Sequence, residues 1–124
     1  MFQIDVMSRI PVYEQIINQT EKFILTGILP EGDKFPSVRS LSMELSVNPN
    51  TIQKAVTELD RRGLIYSVPG KGCFVSDKAK KALQASMRES LTDFSARIRE
   101  LAQGGVSREE LLSCVNKVFD EEGK

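Results

Sequence analysis

Histidine is absent from all 124 residues. That excludes histidine-based triads, a histidine general base and histidine metal ligands, and it leaves little machinery for an enzyme. Cysteine is scarce, and Cys73 and Cys114 show no metal-ligand spacing. Reduced thiols are therefore expected, with a redox-sensing thiol as the alternative. No stretch approaches the roughly 20 consecutive apolar residues of a membrane span, and the N-terminus lacks the apolar core of an export signal. A cytoplasmic protein without a membrane partner is expected. No net charge remains either, because 17 Lys and Arg balance 17 Asp and Glu. No serine or cysteine has a partner base, and no phosphate-cradling glycine loop follows a strand and opens a helix. No catalytic residue, metal or cofactor is expected. What is present is ordinary: 40% hydrophobic and 27% charged residues, in a length that holds one compact domain and a modest appendage.

The most informative run is Asn48-Pro49-Asn50-Thr51-Ile52-Gln53-Lys54. Asn48 is a favoured N-cap and Pro49 suits the first helical position, where its missing N–H costs nothing. From there Ile52, Ala55, Val56 and Leu59 recur on one helical face, while Asn50, Gln53, Lys54, Thr57 and Arg61 line the other. Asparagine and glutamine can pair bidentately with adenine, and lysine can reach guanine acceptors or phosphates. Taken alone, the same pattern also describes the solvated face of a surface helix.

The flanks decide between the two. Upstream, Phe35-Pro36-Ser37 opens a short helix with Val38, Leu41 and Leu45 on one stripe, and Ser46 and Val47 alone separate it from the Asn48 cap. That spacing is a helix-turn-helix. Downstream, β-prone runs at residues 64–68 and 73–75 flank Pro69-Gly70-Lys71-Gly72, as in a hairpin wing. Ahead of both, Tyr13, Ile16, Ile17, Thr20 and Ile24 mark one face of a first helix over residues 11–26, ended by Gly27. The predicted fold is mainly α with a small β-hairpin: a winged helix-turn-helix over residues 1–76, then a tail over residues 77–124.

These residues resemble the GntR family of transcription factors. The resemblance rests on residues 27–39, on Val47-Asn48-Pro49-Asn50-Thr51, on Gly63-Leu64-Ile65 and on Gly70-Lys71-Gly72, and it covers roughly residues 12–75. Several linked motifs in one order make it specific. It implies a sequence-specific regulator of transcription in which the start of the second helix touches DNA, the first turn of the third enters the major groove, and the wing tip reaches a minor groove. Carried over by position, the DNA-binding residues would be Ser37, Arg39, Asn48, Asn50, Thr51, Gln53, Lys54, Lys71 and Gly72. The short tail and the Val-Asn-Pro-Asn-Thr run resemble the YtrA-type branch, whose small members often lie beside ABC-transporter genes. Two positions depart from the family pattern: Ser46 replaces a glycine in the turn, and Cys73 replaces a threonine in the wing.

Placement of charge matters more than its total. Over residues 8–76, eight Lys and Arg stand against seven Asp and Glu, an excess of only one. A DNA-binding domain usually carries more, so specificity would rest on a few base contacts and on dimerisation. The near neutrality also fits an alternative, a winged helix that serves as a protein-interaction module.

The tail supplies the second chain. Leu83, Met87, Leu91, Phe94, Ile98 and Leu101 form a continuous helical seam over residues 77–103. Gly104-Gly105 ends it, and Ser107 with Glu110 is a capping box that opens another helix carrying Leu111, Leu112, Val115, Val118 and Phe119. Two helices alone cannot hide both stripes, so a dimerisation hairpin is expected, using Leu83, Met87, Leu91, Phe94, Ile98, Leu101, Leu112, Val115 and Phe119. The alternative is a stripe folded back on its own chain. A homodimeric repressor on an inverted-repeat operator in double-stranded DNA follows. No residue cluster in the tail points to an effector, although a small ligand at a dimer interface stays open.

Overall fold

The computed structural model describes residues 1–123. In chain order it contains α1 (Val12–Thr26), β1 (Lys34–Phe35), α2 (Val38–Leu45), α3 (Pro49–Arg61), β2 (Ile65–Val68), β3 (Gly72–Val75), α4 (Ala79–Gln103) and α5 (Arg108–Glu121). The chain divides into two compact units, Met1–Ala85 and the residues from Ser86 onward.

In the first unit, α1 buries Ile16, Ile17, Thr20 and Ile24, and the Thr20 hydroxyl donates to the Ile16 carbonyl at 2.7 Å. The helix ends where Gly27 takes the left-handed conformation, with φ 84°. Ile52, Ala55, Val56 and Leu59 of α3 enter the same core, as do Leu41 of α2 and Phe35, Ile65 and Val75 of the sheet. Burying a large aliphatic side chain contributes about 1.5–3 kcal/mol relative to leaving it exposed, so this cluster holds the recognition elements rigidly together.

The wing is a three-stranded antiparallel sheet in the order β1-β3-β2, with Ile65 opposite Val75 and Lys34 opposite Phe74. The hairpin is where the sequence puts it; β1 is an addition. Two residues are too few to show alternation, and β1 exists because Phe35 is fully buried and backbone bonds fix its approach: the Gly32 N–H donates to Val75 and the Val75 N–H to Asp33, each at 2.9 Å.

The first ten residues also belong to the unit. Phe2 is buried, with its ring edge-on to Phe23 and Phe35 at centroid distances of 5.2 and 6.0 Å. Gln15, a buried polar residue of α1, accepts from the Asp5 N–H and donates to the carbonyls of Asp5 and Ile10. One side-chain amide thus satisfies three backbone groups of an otherwise irregular segment.

The boundary of the first unit lies inside α4, past the end of the wing. Ala79 is fully buried and Leu83 is 7% exposed, both in the main core. Leu83, which the spacing places at the head of the tail's seam, is thus packed within the first unit: helical periodicity continues from one unit to the next without marking where the neighbour changes. In the second unit the Ser107 capping box forms, with reciprocal bonds of 3.1 and 2.8 Å to Glu110. No residue of α5 is buried, so the two helices joined at Gly104 and Gly105 do not cover each other's apolar stripes. Met87, Leu91, Phe94, Leu112, Val118 and Phe119 are all at least half exposed.

Candidate nucleic-acid interface

The site is assembled by local bonds at the ends of α2 and α3. Ser37 caps α2 by accepting from the Ser40 N–H at 3.0 Å, which leaves Arg39 exposed on the first turn. At the other end Ser46 adopts φ 54° and ψ 44°, a left-handed conformation shared by no other non-glycine residue among those described. The turn it makes is locked by Ser42, whose hydroxyl donates to the Val47 carbonyl at 2.6 Å while its own carbonyl accepts from the Val47 N–H. Asn48 then caps α3, its side-chain oxygen accepting from the Asn50 N–H at 2.8 Å. A capping asparagine directs its carbonyl at its own helix, so Asn48 acts first on the position of α3.

Along α3 the two faces separate as the sequence predicts. Ile52, Ala55, Val56 and Leu59 are buried, Asn50, Gln53, Lys54 and Thr57 are exposed, and Thr51 is half-buried between them. The Gln53 amide donates to the Thr57 hydroxyl at 3.2 Å, one turn on. The polar edge of α3 and the start of α1 line one open groove, with Tyr13, Asn50, Gln53, Lys54 and Thr57 in its walls. Arg61 points elsewhere: it forms a two-pronged pair with Glu58, which also holds Arg62. Hydrogen bonds from Arg61 and then Arg62 lower the Glu58 carboxyl to about 2.

The wing tip depends on glycine. Gly70 and Gly72 have φ of 78° and 110°, and a Cβ on Gly72 would come within 3.1 Å of the Lys34 side chain. Lys71, between them, is exposed, and Lys34 from β1 lies alongside. Cys73 is half-buried and lies 3.3 Å from the Ser67 hydroxyl.

Helix-turn-helix, wing and exposed polar face therefore occur together in one unit. The model of bacterial regulatory proteins of the gntR family matches residues 12–75, half of the chain. The chain belongs to the GntR family. It is 39% identical to the HTH-type transcriptional repressor YtrA of Bacillus subtilis, over 95% of this chain and 92% of that protein. Among solved structures, a transcriptional regulator from Oenococcus oeni superposes with a TM-score of 0.75 at 30% identity, covering 96% of this chain and 99% of that one. The AraR DNA-binding domain, solved in complex with operator ORE1, matches with a TM-score of 0.52 at 30% identity, over 61% of this chain and 93% of that one. Like its family, the chain is a transcription regulator with a DNA-binding winged helix-turn-helix, and not an enzyme. No helix among the described residues is long and apolar enough to cross a membrane.

Within this GntR domain, Ser37, Arg39, Asn48, Asn50, Thr51, Gln53 and Lys54 cluster at the starts of α2 and α3, and Lys71 and Gly72 form the separate wing tip. Two neighbours of the site escaped the sequence reading. Lys34 sits in a strand too short to recognise. Tyr13 scores as part of the apolar face of α1, yet it is only half-buried and its ring lies beneath Lys54.

Proposed function

We propose that this GntR regulator is a homodimeric repressor that binds an inverted-repeat operator through the exposed edge of α3, the start of α2 and the wing tip. The observation that carries the dimer is the pair of uncovered apolar stripes: Met87, Leu91 and Phe94 on α4, and Leu112, Val118 and Phe119 on α5, each at least half exposed. Apolar surface of this extent on a small chain calls for a partner, and a second copy with the same stripes is self-complementary under two-fold symmetry. Ile98 and Leu101, half-buried, and Val115 would complete the seam.

In this reading Asn50 and Gln53 meet base edges, Arg39 and Lys54 meet phosphates or guanine, and Lys71 enters the adjacent minor groove. Similarity to the repressor YtrA supports repression, and the resemblance to the YtrA-type branch, whose small members often lie beside ABC-transporter genes, is the support for an ABC-transporter operon as the target. Sedimentation of the whole chain, with gel shift on its own promoter region, tests the proposal. A dimer that binds an inverted repeat far more tightly than a single half-site is the expected result. A monomer, or equal affinity for both duplexes, would overturn it, and reporter output that falls when the gene is deleted would replace repression with activation.

A further inference from the structure

Lys54 could act on DNA as a free, flexible cation, but it is not free. Its ammonium lies 3.9 Å from the centroid of the Tyr13 ring, at the first turn of α1. No carboxylate forms an ion pair with it among the described residues. The ring is itself anchored, since its hydroxyl donates to the Glu14 carboxylate at 3.3 Å. The charge of Glu14, with partial burial and that bond, raises the Tyr13 pKa, so the ring stays a neutral phenol at any physiological pH.

We infer that Tyr13 is a positioning residue for DNA binding: it holds the Lys54 ammonium at the α1 edge of the recognition helix, aimed at a backbone phosphate and away from the base edges reached by Asn50 and Gln53. The inference rests on the reading that the exposed edge of α3 meets DNA. An unrestrained lysine loses rotamer entropy when it is fixed in a complex. A ring that already holds the ammonium removes part of that cost before DNA arrives. The ammonium carries three donors, and a ring face leaves the others for phosphate oxygens. Pro11, Val12 and Tyr13 share a shallow hollow with Asn50, Thr51 and Lys54. The start of α1 there has no side-chain cap, so its first N–H groups add positive potential beside the lysine, opposed by the Glu14 carboxylate of the same turn, which the Tyr13 hydroxyl engages.

This assigns α1 a part in recognition beyond packing. Lys54 becomes a contact indifferent to sequence, and discrimination falls to its neighbours on α3.

The test uses the full chain on its promoter duplex and on a mixed-sequence duplex. Lys54→Met should weaken both alike and lower the slope of log affinity against log salt by about 0.9, as for one lost phosphate contact. Tyr13→Leu should weaken binding about two- to fivefold when Lys54 is present and not at all in the Lys54→Met background, whereas Tyr13→Phe should bind like the parent. Losses that simply add, or a Tyr13→Leu that binds normally while Lys54→Met does not, would overturn the positioning role. A Lys54→Met variant with unchanged affinity and salt slope would instead defeat the underlying reading that Lys54 meets DNA. Should Tyr13→Leu fail to fold, Tyr13→Met takes its place. Independently, NMR of the free parent chain should show the Lys54 ε-methylene protons shifted upfield by the ring, and an unshifted resonance would also overturn the proposal.

Discussion

At the scale of single residues, Ser46 is the clearest tension in the domain. A left-handed conformation costs a non-glycine residue about 1–2 kcal/mol, offset in Ser46→Gly by the greater freedom glycine has when unfolded. Ser46→Gly should therefore stabilise the chain by about 0.5–1 kcal/mol in urea unfolding, without changing DNA affinity. Asn50 and Lys71 should behave differently from each other. Asn50→Ala should cost about 1–3 kcal/mol on the cognate duplex and little on a scrambled one, and Lys71→Ala should weaken both evenly; equal losses for Asn50→Ala would remove its assignment to a base. Glu58 sets an acid limit. Its folded carboxyl is lowered from 4.5 to about 2 by Arg61 and Arg62, so its contribution is full above 4.5 and disappears as pH falls toward 2. Glu58→Gln should flatten that part of the curve of unfolding midpoint against pH.

At the scale of elements, what could be read from the sequence is what local chemistry encodes. The starts of α2, α3 and α5 follow from Ser37, Asn48 with Pro49, and Ser107 with Glu110, each a cap that acts within its own first turn. The strand β1 and the Gln15 clamp are not legible in that way, because each owes its form to partners far along the chain. The candidate interface divides similarly: α3 displayed its polar edge in the sequence, whereas the place of Tyr13 beneath Lys54 depends on how α1 packs on α3. The caps also differ in what depends on them. Helix α3 is held by four buried side chains, while α5 has none and relies on its cap and intrinsic propensity until something covers it. Ser107→Ala should therefore reduce helical circular dichroism and weaken self-association, and an unchanged spectrum and dimer would show that the cap is dispensable.

At the scale of the whole molecule, the position of Ala79 and Leu83 decides where the chain can be cut. Ending it after Asp77 would remove two core side chains, whereas ending it after Ala85 keeps them. The longer fragment should melt cooperatively as a monomer, and the shorter one should be markedly less stable; Leu83→Ala in the full chain should cost about 2–5 kcal/mol in unfolding free energy. If two linked half-site binders explain the affinity, the 1–85 fragment should lose a factor on the order of 10² to 10⁴ on the full operator and little on a half-site. A fragment that remains dimeric would transfer the dimer interface out of the tail. The Gln15 side chain carries a consequence of another kind. Because it closes onto the backbone of Asp5 and Ile10 while its own backbone is part of α1, the segment before the helix cannot detach unless those three bonds open together. Residues 5–10 and α1 should thus form one cooperative unit, with the Asp5 amide exchanging its hydrogen as slowly as the middle of the helix, and Gln15→Met should speed that exchange without melting α1, while Phe2 stays anchored in the core.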